Sequence, residues 1–134
     1  MGEAGEIKAF IGNAKELIID AEVSLRSERY HLSFLCSALS AENATSALII
    51  ALGRRTSKKH NNWMILGNIA KEVNGKLKKT LQEISKKLHE IEPQIPKILR
   101  YPFRIGVSCS FYFLAMGPCS LPVPSNLLAS GNTR

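Results

Sequence analysis

Residues 53–66, GRRTSKKHNNWMIL, put four basic side chains within six positions, then a histidine, two asparagines and the chain's single tryptophan. Arg55 and His60 stand in an Arg, four residues, His spacing. These two residue types could cleave RNA without a metal. The histidine would move the 2′-hydroxyl proton while the arginine stabilises the extra charge on a pentavalent phosphate. Arg54, Arg55, Lys58 and Lys59, with Lys78 and Lys79 further along, could instead bind RNA, nucleotide phosphate or an acidic partner without reacting with it. The plainer account is a set of solvated loop charges close to a helix C-terminus, where cations are favoured.

The charge balance of the chain points to the same region. Residues 1–53 carry four Lys/Arg against seven Asp/Glu, a net of −3, and residues 54–104 carry thirteen against four, a net of +9. Clustered cations of this kind suit an acidic partner, nucleic acid first. Other chemistries have no support. There is no glycine-rich nucleotide loop, no Ser-His-Asp order with a nucleophile elbow and no H-E-x-x-H. Cys36, Cys109 and Cys119 are an odd number at irregular spacing, against both a zinc site and a disulfide framework, so neither a metal nor a cofactor is expected. His31 and His89 read as ordinary surface or boundary histidines. Glu42, in the middle of a helix, needs a partner across the bundle or at a dimer interface, or an exposed face. The longest nearly uncharged apolar run, 105–116, falls short of the ~20 residues of a spanning helix. With no signal peptide at the start, a reduced, cytoplasmic protein without a membrane span is expected.

These residues must be positioned by helices. Ile7, Phe10, Ile11, Ala14, Leu17, Ile18, Ala21 and Leu25 recur at three- and four-residue steps, predicting a helix over about 4–27. After the polar break Ser27-Glu28-Arg29, residues 30–52 are apolar or small nearly all round, as in a central helix touched on several sides. Gly53 ends it. Asn61 or Asn62 could cap a shorter third helix that stops near Asn74-Gly75. Leu77, Leu81, Ile84, Leu88, Ile91 and Ile95 step by four and three as in a packed bundle helix, and Pro93 and Pro96 should break it. An all-α, up-and-down antiparallel bundle of four to five helices is therefore expected over 1–104. Residues 105–134 read as an atypical apolar, proline-containing tail, expected to be poorly ordered, strapped onto the bundle, or a sequence in a frame the fold was not built for. The small-residue face of the central helix predicts a homodimer, which a monomeric mass by light scattering would reject.

The pieces AKELIIDAEVSL (14–25), RYHLSFLCSALSAENATSALIIAL (29–52), KKHNNWMIL (58–66) and RYP (100–102) together resemble the HEPN family of small helical bundles. The resemblance implies a commonly dimeric, cytoplasmic, prokaryotic bundle. Many such members are RNA-cleaving toxins or defence components paired with a small nucleotidyltransferase antitoxin, and others are inactive binding modules. Active members carry Arg, four to six residues, then His, often with a polar residue after the Arg. Arg55 and His60 meet that spacing, with Thr56 where asparagine is frequent. Three departures favour a non-catalytic member: Ser46 replaces a common lysine, the pair lies in a loop rather than inside a later helix, and the tail replaces a helix expected after RYP. The resulting expectation is a binding module for RNA, nucleotide or an acidic partner. The alternatives are a metal-independent endoribonuclease and an antitoxin-type scaffold that co-purifies with its partner.

Overall fold

The computed structural model describes residues 2–100; the tail at 105–134 and the Tyr101-Pro102 pair lie outside the described residues. Five helices follow one another: α1 (Glu3–Arg26), α2 (Tyr30–Ala51), α3 (Asn62–Glu72), α4 (Gly75–Ile91) and α5 (Gln94–Arg100). Among the described residues there is no strand, so the all-α bundle expected from the periodicity is what forms.

The two long helices end in the same way. Beyond α2, Gly53 takes φ 75°, and the N–H groups of Gly53 and Arg54 return to the carbonyls of Ile50 and Ile49 at 2.9 and 3.0 Å. That pair of bonds satisfies carbonyls the helix leaves open, and the left-handed residue between them is usually glycine. Beyond α1 the same bonds run from Glu28 and Arg29 to Leu25 and Ser24, with Glu28, not a glycine, at φ 59°.

α1 and α2 pair antiparallel and closely. Ser33 Oγ donates to the Ala21 carbonyl and Ser40 Oγ to the Ala14 carbonyl, both at 2.7 Å. Small residues on both helices let the backbones approach this far. The small-residue face of α2 is therefore largely occupied: Ser33, Ser40 and Ala47 are buried within the chain. Only Ala44 and Ala51 of that set stay exposed. They border an apolar groove of about 480 Å³ with Ile7, Ile11 and Ile18 of α1.

α3 and α4 form a second antiparallel hairpin. Ser85 Oγ donates to the Trp63 carbonyl at 2.6 Å, and a Cβ on Gly67 would stand 3.1 Å from that hydroxyl. Ile49 of α2, Leu66, Ile69 and Ala70 of α3, and Leu81 and Leu88 of α4 form the larger core. A smaller core joins Phe34 and Ala38 of α2 to Ile95 and Ile98 of α5. The proline break falls as expected: α4 stops at Ile91, Pro93 precedes α5, and Pro96 lies in its first turn, where a missing N–H costs no helical bond. Among the described residues α1 packs on α2 alone, so the bundle is two hairpins sharing one helix. α2 itself is long and apolar enough to cross a membrane, although Glu42 interrupts its uncharged run; here it is the shared central helix, touched by the other four.

The two helix ends make a paired prediction. Gly53→Ala should lower stability by about 1 kcal/mol, since a side chain is disfavoured at that φ. Glu28→Gly should raise it by up to about 1 kcal/mol by relieving the same strain. Denaturant midpoints of the two variants check the opposite signs.

Candidate functional site

The loop at 54–61 runs back along α2. It leaves at Leu52 and returns to the level of Glu42, ten residues and about 15 Å earlier on the helix axis. Its two ends are fixed by different partners. At the start, the Arg54 guanidinium pairs with Glu72 at the end of α3, both side chains remaining about half exposed. At the finish, His60 Nδ1 lies 2.7 Å from Glu42 Oε2 in a partly buried contact. His60 holds φ 54°, a left-handed conformation uncommon for a residue with a Cβ.

Two residues further on, the chain enters α3. Neither asparagine caps it with its side chain. Instead Glu92, thirty residues away in the turn between α4 and α5, accepts the Asn62 N–H at 3.0 Å and the Trp63 N–H at 2.9 Å. The next two N–H groups, of Met64 and Ile65, return to the Asn61 carbonyl. Three of the donors that the helix start leaves open, on Asn62, Trp63 and Met64, are thereby satisfied, and the Ile65 N–H makes the first regular helical bond. The Asn62 side chain, 1% exposed, points the other way into α2. Its Nδ2 reaches the Glu42 carbonyl at 3.0 Å, Thr45 Oγ1 at 3.0 Å and Ser46 Oγ at 2.9 Å. Asn62 thus ties α3 to α2, and Glu92 ties α3 to the α4–α5 turn.

Glu92 is fully buried, and burial pushes its carboxyl above the ordinary carboxylate value. The two backbone N–H bonds and His60 act in the opposite direction, while Glu42 adds to the rise. With that carboxyl seated on it, the N-terminus of α3 is closed to a phosphate.

The basic residues separate into three groups. Arg54 is partly neutralised by Glu72. Arg55, Lys58 and Lys59 are exposed and have no ion-pair partner among the described residues. Lys78 and Lys79 lie near the start of α4, the end of the hairpin away from Glu92 and Asn62. The structure joins His60 to Glu42, and no hydrogen bond or ion pair joins it to Arg55 among the described residues. His89, read as a boundary residue, stacks obliquely on Trp63 with ring centroids 4.2 Å apart. Cys36 is buried, its thiol pushed up by burial and by Asp20, which leaves it a poor nucleophile. No group of three or more His, Cys, Asp or Glu suited to a metal gathers among the described residues.

Glu42 was marked in the sequence as an acid in want of a partner across the bundle, and His60 is that partner, whereas Glu92 carried no signal at all. A family model, HEPN domain, matches residues 7–102. No curated protein and no solved structure matches the chain.

Glu92→Ala should destabilise the protein by about 2 kcal/mol, because two buried N–H groups lose their acceptor. Glu92→Gln should cost less, since one amide oxygen remains to accept. The pH dependence has a definite sign. Folded Glu92 keeps its proton to higher pH than the unfolded chain does, so its contribution to stability is largest at low pH and falls as pH rises above about 4.5. The advantage of wild type over Glu92→Gln should therefore shrink across that range in denaturant titrations; an advantage that grows would contradict the burial effect.

Proposed function

Because the chain belongs to the HEPN-domain family, matched over residues 7–102, we propose that it works as a cytoplasmic, non-catalytic binding module that engages RNA through the loop between α2 and α3. The observation that carries this reading is the state of the cations there. Arg55, Lys58 and Lys59 are exposed and unpaired among the described residues, within a segment anchored at both ends by Arg54–Glu72 and His60–Glu42. A tethered loop loses less entropy on binding than a free one. Three unpaired cations within five positions also match a phosphate backbone better than a single anion. Self-association belongs to the same proposal, with the open α1–α2 groove as its face, where Ile11 and Ile18 remain 42% and 46% exposed.

Fluorescence anisotropy with a labelled single-stranded RNA should show affinity falling steeply with salt. Replacing Arg55, Lys58 and Lys59 together by alanine should flatten the slope of log K against log salt by about 2, given roughly 0.7 per phosphate contact on single strands. RNA binding that is absent at every salt concentration would remove this reading in favour of an acidic protein partner.

A second reading, a metal-independent endoribonuclease, is favoured by the Glu42 contact to His60. On it, His60 takes the 2′-hydroxyl proton as the 2′-oxygen bonds to phosphorus. The P–O5′ bond then breaks, and the departing oxygen takes a proton from water, leaving a 2′,3′-cyclic phosphate and a 5′-hydroxyl. Arg55, which makes no hydrogen bond to His60 among the described residues, would stabilise the phosphorane by contacting the same phosphate. Cleavage of RNA in EDTA that is lost in His60→Ala supports this reading, and cleavage that survives the substitution sinks it.

A further inference from the structure

We infer that Glu42 is a positioning residue for His60, fixing its ring with the proton on Nδ1 and leaving Nε2 as the nitrogen that meets a substrate. The geometry carries this in three steps. Glu42 Oε2 lies 2.7 Å from His60 Nδ1, and a carboxylate can only accept, so the neutral ring places its hydrogen there. Nε2 makes no hydrogen bond to protein among the described residues. In such a histidine the engaged nitrogen sets the tautomer and the free one does the chemistry.

The backbone supplies the second, independent observation. His60 sits at φ 54°, a conformation that persists in a residue with a Cβ only where its surroundings over-determine it. The surroundings do so on the C-terminal side. Asn62, two residues on, is held by Glu92 through its N–H and by Glu42, Thr45 and Ser46 through its side chain. Glu42 takes part twice, its carbonyl accepting from Asn62 and its carboxylate from His60. One residue of α2 thus fixes both the ring and the chain that carries it. Unlike Glu28, whose left-handed backbone only ends α1, His60 has its ring held as well, by Glu42. Strain of this sort gathers at functional positions.

On the ribonuclease reading, on which only the activity arm of the test rests, a fixed Nδ1–H tautomer presents the Nε2 lone pair to a 2′-hydroxyl. The substrate class is then RNA, and DNA, lacking that hydroxyl, is not cleaved. Arginine has no part in the tautomer, so the inference holds whether or not Arg55 reaches the same phosphate.

The test is the ring ¹⁵N spectrum of His60 in the full chain, assigned by its disappearance in His60→Gln. Wild type should show the neutral ring protonated at Nδ1. Glu42→Ala, checked for folding by circular dichroism, should lose that preference in favour of the Nε2–H form. In the presence of EDTA, Glu42→Ala should also lower kcat for RNA about 10- to 100-fold with KM little changed. A wild-type ring protonated at Nε2 would overturn the assignment, as would a folded Glu42→Ala that keeps the wild-type spectrum. If Glu42→Ala does not fold, the wild-type spectrum decides alone. Wild type that binds RNA without cleaving it removes the ribonuclease reading and leaves the tautomer result standing.

Discussion

A carboxylate with no exposure to water holds the start of α3. Burying Glu92 would be costly without compensation, and the compensation is structural: the first two N–H groups of a helix converge on it, at the end where the helix dipole favours negative charge. The contact spans about thirty residues, so it can form only when the α3–α4 hairpin has closed and the α4–α5 turn has come round beside it. Three elements meet at one group. Asn62 extends the junction to a fourth by binding the interior of α2, and Ser46, where the family resemblance led one to expect lysine, is one of its acceptors. A residue that looked like a missing functional cation is thus part of the internal joint.

Around that joint the molecule divides its work between two hairpins that share α2. The first is a close helix pair, drawn together by small residues and by two serine hydroxyls bonded to the opposing backbone. The second is a more ordinary apolar packing of Leu66, Ile69, Leu81 and Leu88 on Ile49. Because among the described residues α1 packs only on α2, it leaves apolar side chains exposed along its free flank, Ile11, Ile18 and Ile19 among them. The breadth of apolar character in α2 follows from its having to serve both hairpins. Its composition is that of a membrane span, yet its function in this fold is that of a core.

The loop at 54–61 gains its character from the same joint. Left to itself it would be a mobile basic segment. Pinned by Glu72 at one end and Glu42 at the other, it offers three cations in a limited range of positions and one histidine in a single orientation. Charge density and chemical readiness are thereby separated. The exposed cations suit a polyanion, while the oriented ring suits proton transfer. The Arg-x4-His spacing suggested a unit, but the chain uses Arg54 to close one end and His60 to close the other, with Arg55 left between them.

The local features were legible in the sequence because they rest on local physics. Helix periodicity placed α1 and α2 within a residue or two, Gly53 marked the end of α2 by its conformational freedom, and Pro93 separated α4 from α5. Family membership was legible for the same reason, as an order of patterned helices and polar breaks. What the tertiary structure alone decided are the partners. Asn61 and Asn62 were read as caps because asparagine caps helices locally, yet the cap came from Glu92, distant in sequence and adjacent only after folding. The small-residue stripe of α2 pointed to a second copy of the chain, yet α1 covers most of it. Glu42 stood out as an acid in want of a partner without showing which, and Glu72 was one acid among eleven, until the fold brought each within reach of one end of the basic loop. Periodicity along a chain fixes which faces exist, whereas the pairing of charges between faces depends on distances that no local pattern encodes.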